Sequence, residues 1–108
     1  MPQFAILAHD WPSPHWDFLL ETEADLRSWR LLTEPGPGKE VPVEPNAVHR
    51  LIYLEYEGPV SGGRGTVSRW DAGTFDWIVD EPDRIVVNLH GNRLTGPCRI
   101  EGKRCRFH

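Results

Sequence analysis

The sequence predicts a mainly β protein, a small irregular closed β-barrel of about eight strands with one or two short helical turns, in a single domain over residues 1–108. Three observations lead there. Ten prolines and ten glycines divide the chain into short pieces. No segment carries an uninterrupted helical period of useful length. The pieces are bounded by explicit turn chemistry, and evenly spaced short strands of this kind close into a barrel or sandwich. A chain of this length buries one modest core.

Taken in order, strands are expected at Phe4 to His9, Trp16 to Glu21, Ser28 to Leu32, Gly65 to Asp71, Thr74 to Val79, Arg84 to Leu89, Arg93 to Ile100 and Lys103 to Phe107. The turns between the later ones read "DAG" at 71–73, "DEPD" at 80–83, "HGN" at 90–92 and "EG" at 101–102. Two segments interrupt the pattern. "TEPGPGKEVPVEPN", 33–46, is a proline-rich loop expected to drape across the barrel surface or mouth. "AVHRLIYLEYEG", 47–58, is expected to make a short helical turn after His49.

Five tryptophans are a large aromatic load for this length, and big rings filling a small core account for four of them. Trp11, between His9 and two prolines, is the one expected to be exposed. A two-residue turn at Glu101–Gly102 would pair Ile100 with Lys103 and set Cys98 opposite Cys105 as buried, reduced neighbours.

A formal net charge of −4 excludes a protein that coats nucleic acid by bulk electrostatics, though a small site on it can be locally basic. The "EGKRCRFH" tail is basic, as an edge strand guarded by cations would be. No run approaches membrane-spanning length, and the N-terminus lacks the basic leader and cleavage pattern of an export signal. With two cysteines, a cytoplasmic protein, monomeric and without membrane contact, is expected.

The segment "HDWPSPHWDFLLE", 9–21, concentrates the chemistry. His15 and Asp17 leave the same face of a strand, and the short connection after His9 is able to fold that histidine back beside them. His9, His15 and Asp17 thus form a candidate metal site with coordination positions left open, as catalysis requires. The donors favour Mn, Fe(II) or Zn, and Asp10 is a candidate to orient a ligand from behind. His49, followed by Tyr53, is a candidate general acid or charged phosphate contact at the barrel mouth. His90 is expected to cap its turn. Two histidines and a carboxylate also fit an Fe(II) oxygenase on a cupin-like barrel, built from His15, Asp17 and His90, but that leaves His9 and His49 without a role.

The order of "FAILAHDWPSPHWDFLLE", "LRSWRL", "VHRLIYLEYEG", "GTVSRWDAGTF" and "VVNLHGNRLTG" resembles the 3'-phosphoesterase domain of bacterial DNA ligase D, over nearly the whole chain. The resemblance implies an enzyme, a manganese-dependent hydrolase with a small β-barrel that removes a 3'-phosphate or 3'-ribonucleoside from DNA ends. It implies that His9, His15 and Asp17 bind the metal, Mn2+ or alternatively Zn2+ or another divalent ion, that His49 contacts the phosphate, and that Tyr53 follows it in the same catalytic motif. DNA 3' ends, with a DNA ligase or end-joining proteins, are the implied partners. The family motif continues Asp-Phe-Arg where this chain has Leu19, and a family lysine is replaced by Thr33 or missing. Arg50 and Arg64 are the candidates to replace that charge at the phosphate. The alternative reading keeps the fold and the metal site in a non-catalytic module that binds nucleic-acid ends or a repair partner.

Overall fold

The computed structural model describes all residues from Met1 to His108. The strands are β1 (Gln3–His9), β2 (His15–Glu21), β3 (Leu26–Leu31), β4 (Glu40–His49), β5 (Gly58–Pro59), β6 (Thr66–Glu81), β7 (Arg84–Gly91), β8 (Thr95–Glu101) and β9 (Arg104–Phe107). They form one antiparallel sheet in the order β1-β2-β3-β4-β9-β8-β7-β6-β5, and β1 also pairs with β6. That pairing closes the sheet into a ring, with β5 appended to β6, so the expected mainly β fold is found as a ring-like sheet of nine strands rather than about eight. No helix is long and apolar enough to cross a membrane.

β1 and β2 are buried on both faces, which is why "FAIL" and "FLL" read as continuous apolar runs rather than alternating ones. Phe4, Ile6, Phe18 and Leu20 face the interior with Trp29, Leu31, Phe75 and Phe107. Ala5, Leu7 and Leu19 face outward, into a second apolar cluster with Leu26, Leu54 and Val67. The cover over this outer cluster is the chain between β4 and β6: the expected helical turn, a 3-10 turn at Leu51–Leu54, packs there with Tyr53, Tyr56 and Val60. Trp29 is buried, Trp16, Trp70 and Trp77 pack half-buried against the main core, and Trp11 is exposed. The division expected among the five tryptophans is therefore met.

Several local expectations are corrected. The proline-rich segment is not all loop, since residues 40–46 belong to β4, which pairs first with β9 and then with β3. The Val43 amide donates to the Lys103 carbonyl. Pro45, two residues on, would aim its missing amide the same way, past the end of β9, so the sheet loses no hydrogen bond to it. "DAG" at 71–73 is no turn but part of the continuous strand β6, which passes there from β1 to β7. A Cβ on Gly73 would collide with the His90 carbonyl, so glycine serves close strand approach rather than a turn. His90 lies in β7, its Nε2 2.8 Å from an Asp76 oxygen. The turn after it is held by buried Asp71, whose carboxylate accepts from the amides of Asn92, Arg93 and Leu94 at 2.9, 3.2 and 2.9 Å. The basic tail is no edge, because β9 is paired on both sides and Arg104 and Arg106 simply face outward.

The last hairpin turns one residue later than expected. Glu101 pairs with Arg104, Gly102 leads the two-residue loop at φ +59°, and Cys98 stands opposite Phe107 rather than Cys105. The two thiols still meet, as diagonal neighbours with sulfurs 3.6 Å apart, free and buried. Burial pushes the Cys98 thiol well above the ordinary thiol range, and the neighbouring Cys105 adds to the effect. The folded chain keeps this proton where the unfolded chain releases it. The associated stability is complete below the unfolded pKa of about 8.5 and falls above it by about 1.4 kcal/mol per pH unit. Thermal midpoints measured from pH 7 to 10 should fall on the alkaline side, and Cys98→Ala should flatten that limb. An equally steep limb in the variant would assign it to another group.

Candidate metal centre

The register of the β1–β2 hairpin sets His9 opposite His15 and Leu7 opposite Asp17. Strand alternation then sends all three polar side chains to the outer face of the ring, the face covered by the segment between β4 and β6. His15 and Asp17 are 3% and 4% exposed. Burial this complete is costly for a carboxylate and an imidazole without partners.

Each ring's tautomer follows from a backbone carbonyl. His15 Nδ1 is 2.9 Å from the Ser13 oxygen and His9 Nε2 is 2.8 Å from the Arg64 oxygen. A carbonyl only accepts, so those nitrogens carry protons and donate, and in the neutral rings a lone pair is left on His15 Nε2 and on His9 Nδ1. These lone pairs face the two oxygens of Asp17, at 3.1 Å for His15 Nε2 and 3.2 Å for His9 Nδ1. His15 Nε2 and Asp17 Oδ1 are buried without a hydrogen-bond partner. Acceptors converging on acceptors repel unless a cation lies among them, and one donor atom from each of the three residues lies within 4.8 Å of the others. The group is therefore suited to a metal ion, with backbone carbonyls orienting both imidazoles from behind. Asp10 does not take the orienting role expected of it. Its Oδ1 accepts from the Thr66 amide at 2.7 Å and ties the β1–β2 connection to β6. A Cβ on Gly65 (φ +77°) would collide with this carboxylate and with the Trp11 side chain.

Above the trio lies a cavity of about 380 Å³ that also reaches His49, Tyr53, Arg50 and Arg64. His49 Nδ1 is 3.0 Å from the Ala47 carbonyl, and its ring meets Tyr53 edge to face at 5.6 Å. Tyr53 meets Tyr56 in the same manner at 5.7 Å, so a small aromatic stack holds the histidine over the cavity. Arg64 is bonded to the Ser61 carbonyl and hydroxyl at 2.8 and 3.2 Å, and Arg50 is exposed. Trp11 stands at the rim. The structure thus brings His9, His15, Asp17, His49, Arg50, Tyr53 and Arg64 to one cavity, and leaves Asp10 outside it. His90 is held elsewhere by Asp76, which removes the cupin-like oxygenase arrangement. One residue that sequence reasoning missed also lines the cavity: Arg30 of β3, opposite Asp17 in register.

A family model described as the DNA ligase D 3'-phosphoesterase domain matches residues 7–101. The chain belongs to the DNA ligase D 3'-phosphoesterase domain family. Within it, the chain is 33% identical over 108 aligned residues to the multifunctional non-homologous end joining proteins LigD of Mycobacterium bovis and Mycobacterium tuberculosis, a match covering 86% of this chain and 13% of theirs. It is 30% identical over 106 residues to LigD of Pseudomonas aeruginosa, covering 87% of this chain and 12% of that protein. The chain therefore spans about an eighth of the length of these relatives. Against the family motif, Leu19 stands where arginine is usual. It is fully buried in the outer cluster, and Thr33 is exposed, so neither position places a cation at the site.

Proposed function

We propose that this 3'-phosphoesterase-family domain is a metal-dependent hydrolase that removes a 3'-phosphate or 3'-ribonucleoside from DNA ends during end joining, working as a monomer in the cytoplasm beside a ligase or other end-joining proteins. The observation that carries this reading is the pair of imidazole lone pairs aimed at the two oxygens of Asp17 on the floor of a cavity rimmed by cations. Manganese is the proposed ion, with zinc or another divalent metal as the alternative. When bound, such an ion polarises a phosphoryl oxygen and lowers the pKa of coordinated water. His9, His15 and Asp17 hold it. His49, with Nδ1 engaged on Ala47, offers its other nitrogen to the phosphoryl group as a donor. Tyr53 keeps that ring in place, Arg50 and Arg64 add positive charge, and Trp11 offers a face on which a terminal base stacks.

A second reading is favoured by one observation. With Leu19 sealed in the outer cluster and no cation at Thr33, the domain has the metal trio but lacks two family charges, as a non-catalytic end-binding module would. Turnover of end-labelled primer-templates ending in a 3'-phosphate or a single 3'-ribonucleotide, with Mn2+ and with chelator, separates the two. Metal-dependent trimming is expected. Absence of trimming in protein that Mn2+ still stabilises thermally would establish the binding module instead.

A further inference from the structure

β3 directs Trp29 and Leu31 into the core, and so directs Arg30 to the outer face, between Asp17 of β2 and Glu44 of β4. Either carboxylate is within strand-to-strand reach of a guanidinium, yet Arg30 takes part in none of the ion pairs of the chain. The Asp17 oxygens are turned to the two histidines, and Glu44 is exposed. Arg30 Nε is fully buried and has no hydrogen-bond partner. A guanidinium nitrogen taken from water without an acceptor is costly, and the chain supplies none. The terminal nitrogens of Arg30, neither hydrogen-bonded nor buried, open on the cavity, and their acceptor has to come with whatever fills it.

The charge of that cavity narrows the choice. Its lining carries three arginines, Arg30, Arg50 and Arg64, against one carboxylate, Asp17, on a chain whose formal net charge is −4. A cation held by the trio raises the excess further, so the occupant is an anion. The three arginines are not equivalent. Arg64 already spends its Nε and one terminal nitrogen on Ser61, and Arg50 stands in solvent. Arg30 alone is half-buried, fixed on a strand and uncommitted. A planar fork of donors fits two oxygens of one phosphoryl group, which a lysine cannot match.

We propose that Arg30 anchors the terminal phosphomonoester of the substrate, gripping its non-bridging oxygens beside the metal trio and setting the preference for a 3'-phosphate over a 3'-hydroxyl end. This deepens the phosphoesterase reading and rests on it. The test is equilibrium binding of fluorescent primer-templates ending in 3'-phosphate or 3'-hydroxyl, in chelator so that no turnover occurs, to the wild type, Arg30→Gln, Arg30→Lys and the outward-facing control Arg106→Gln. The wild type and Arg106→Gln should prefer the phosphate end by about tenfold or more, in line with a charge-assisted hydrogen-bonded pair. Arg30→Gln should abolish most of that preference while keeping the Mn2+-induced rise in melting temperature. Arg30→Lys, which keeps charge and stem and serves where the glutamine variant does not fold, should lose several-fold. Full preference in either folded variant overturns the assignment of Arg30 alone. No preference in the wild type overturns the phosphate-end reading beneath it.

Discussion

Asp17→Asn is expected to eliminate metal-linked stabilisation and to lower turnover by about a thousandfold or more, while leaving the metal-free fold as stable as the wild type or more so. The sign of the last effect follows from the site's geometry. Without metal and with both imidazoles neutral, the Asp17 oxygens face lone pairs at 3.1 and 3.2 Å. An asparagine turns one of those repulsive contacts into a donated hydrogen bond. The metal-bound state loses a charged ligand and gains nothing. A divalent ion at a hundred times its Kd stabilises by about 2.7 kcal/mol, on the order of 10 °C in Tm for a domain of this size. That increment should vanish with Asp17→Asn and with His15→Ala. Loss of several kcal/mol of transition-state stabilisation accounts for the fall in rate. Thermal melts of each variant with Mn2+ and with chelator read the first effect, and turnover of 3'-phosphate ends reads the second. A manganese-induced shift that survives in Asp17→Asn would remove the trio as the metal site.

Phe18→Ala should be the most damaging single truncation of the fold, costing about 3–5 kcal/mol out of a total of about 5–15. Phe18 is wholly buried, and its ring meets those of Phe4, Trp29 and Phe107 at 6.3, 6.4 and 5.8 Å. These rings come from β1, β3 and β9, so the cavity left behind adjoins strands from widely separated parts of the chain. Denaturant titration should show a lower midpoint at unchanged slope. Phe18 is also the backbone neighbour of Asp17, pointing inward where Asp17 points outward, so Mn2+ should bind more weakly to the variant as β2 loosens. A loss below about 1 kcal/mol would mean that the ring collapses around the gap, and that the core is less tightly determined than its burial indicates.

The sequence made the two faces of β2 legible because strand alternation is local. His15 and Asp17 share a face by spacing alone, and a short connection sufficed to bring His9 beside them. The helical turn after His49 was legible for the same reason. Elsewhere, tertiary pairing overrode local signals. Pro42 and Pro45 argue against a strand until β9 is seen to end where Pro45 would need a partner. Asp71 and Gly73 have the composition of a turn, and they serve instead to pin a neighbouring turn and to let β7 approach. The one-residue shift at Gly102 separated Cys98 from Cys105 in register but not in space. Arg30 was out of reach of such reasoning, because only the pairing of β2 with β3 sets it opposite Asp17.

The carbonyls of Ser13 and Arg64 that fix the two imidazole tautomers belong to the main chain. No exchange of side chain deletes them. Ser13→Ala should leave the orientation of His15 untouched, and a new side chain at position 64 should change the charge lining the cavity without turning His9. In a site braced by side chains, each brace is a separate gene-encoded point of failure. Here the bracing is inherited with the path of the backbone, so the geometry of the His9, His15 and Asp17 trio does not depend on which side chains stand at positions 13 and 64.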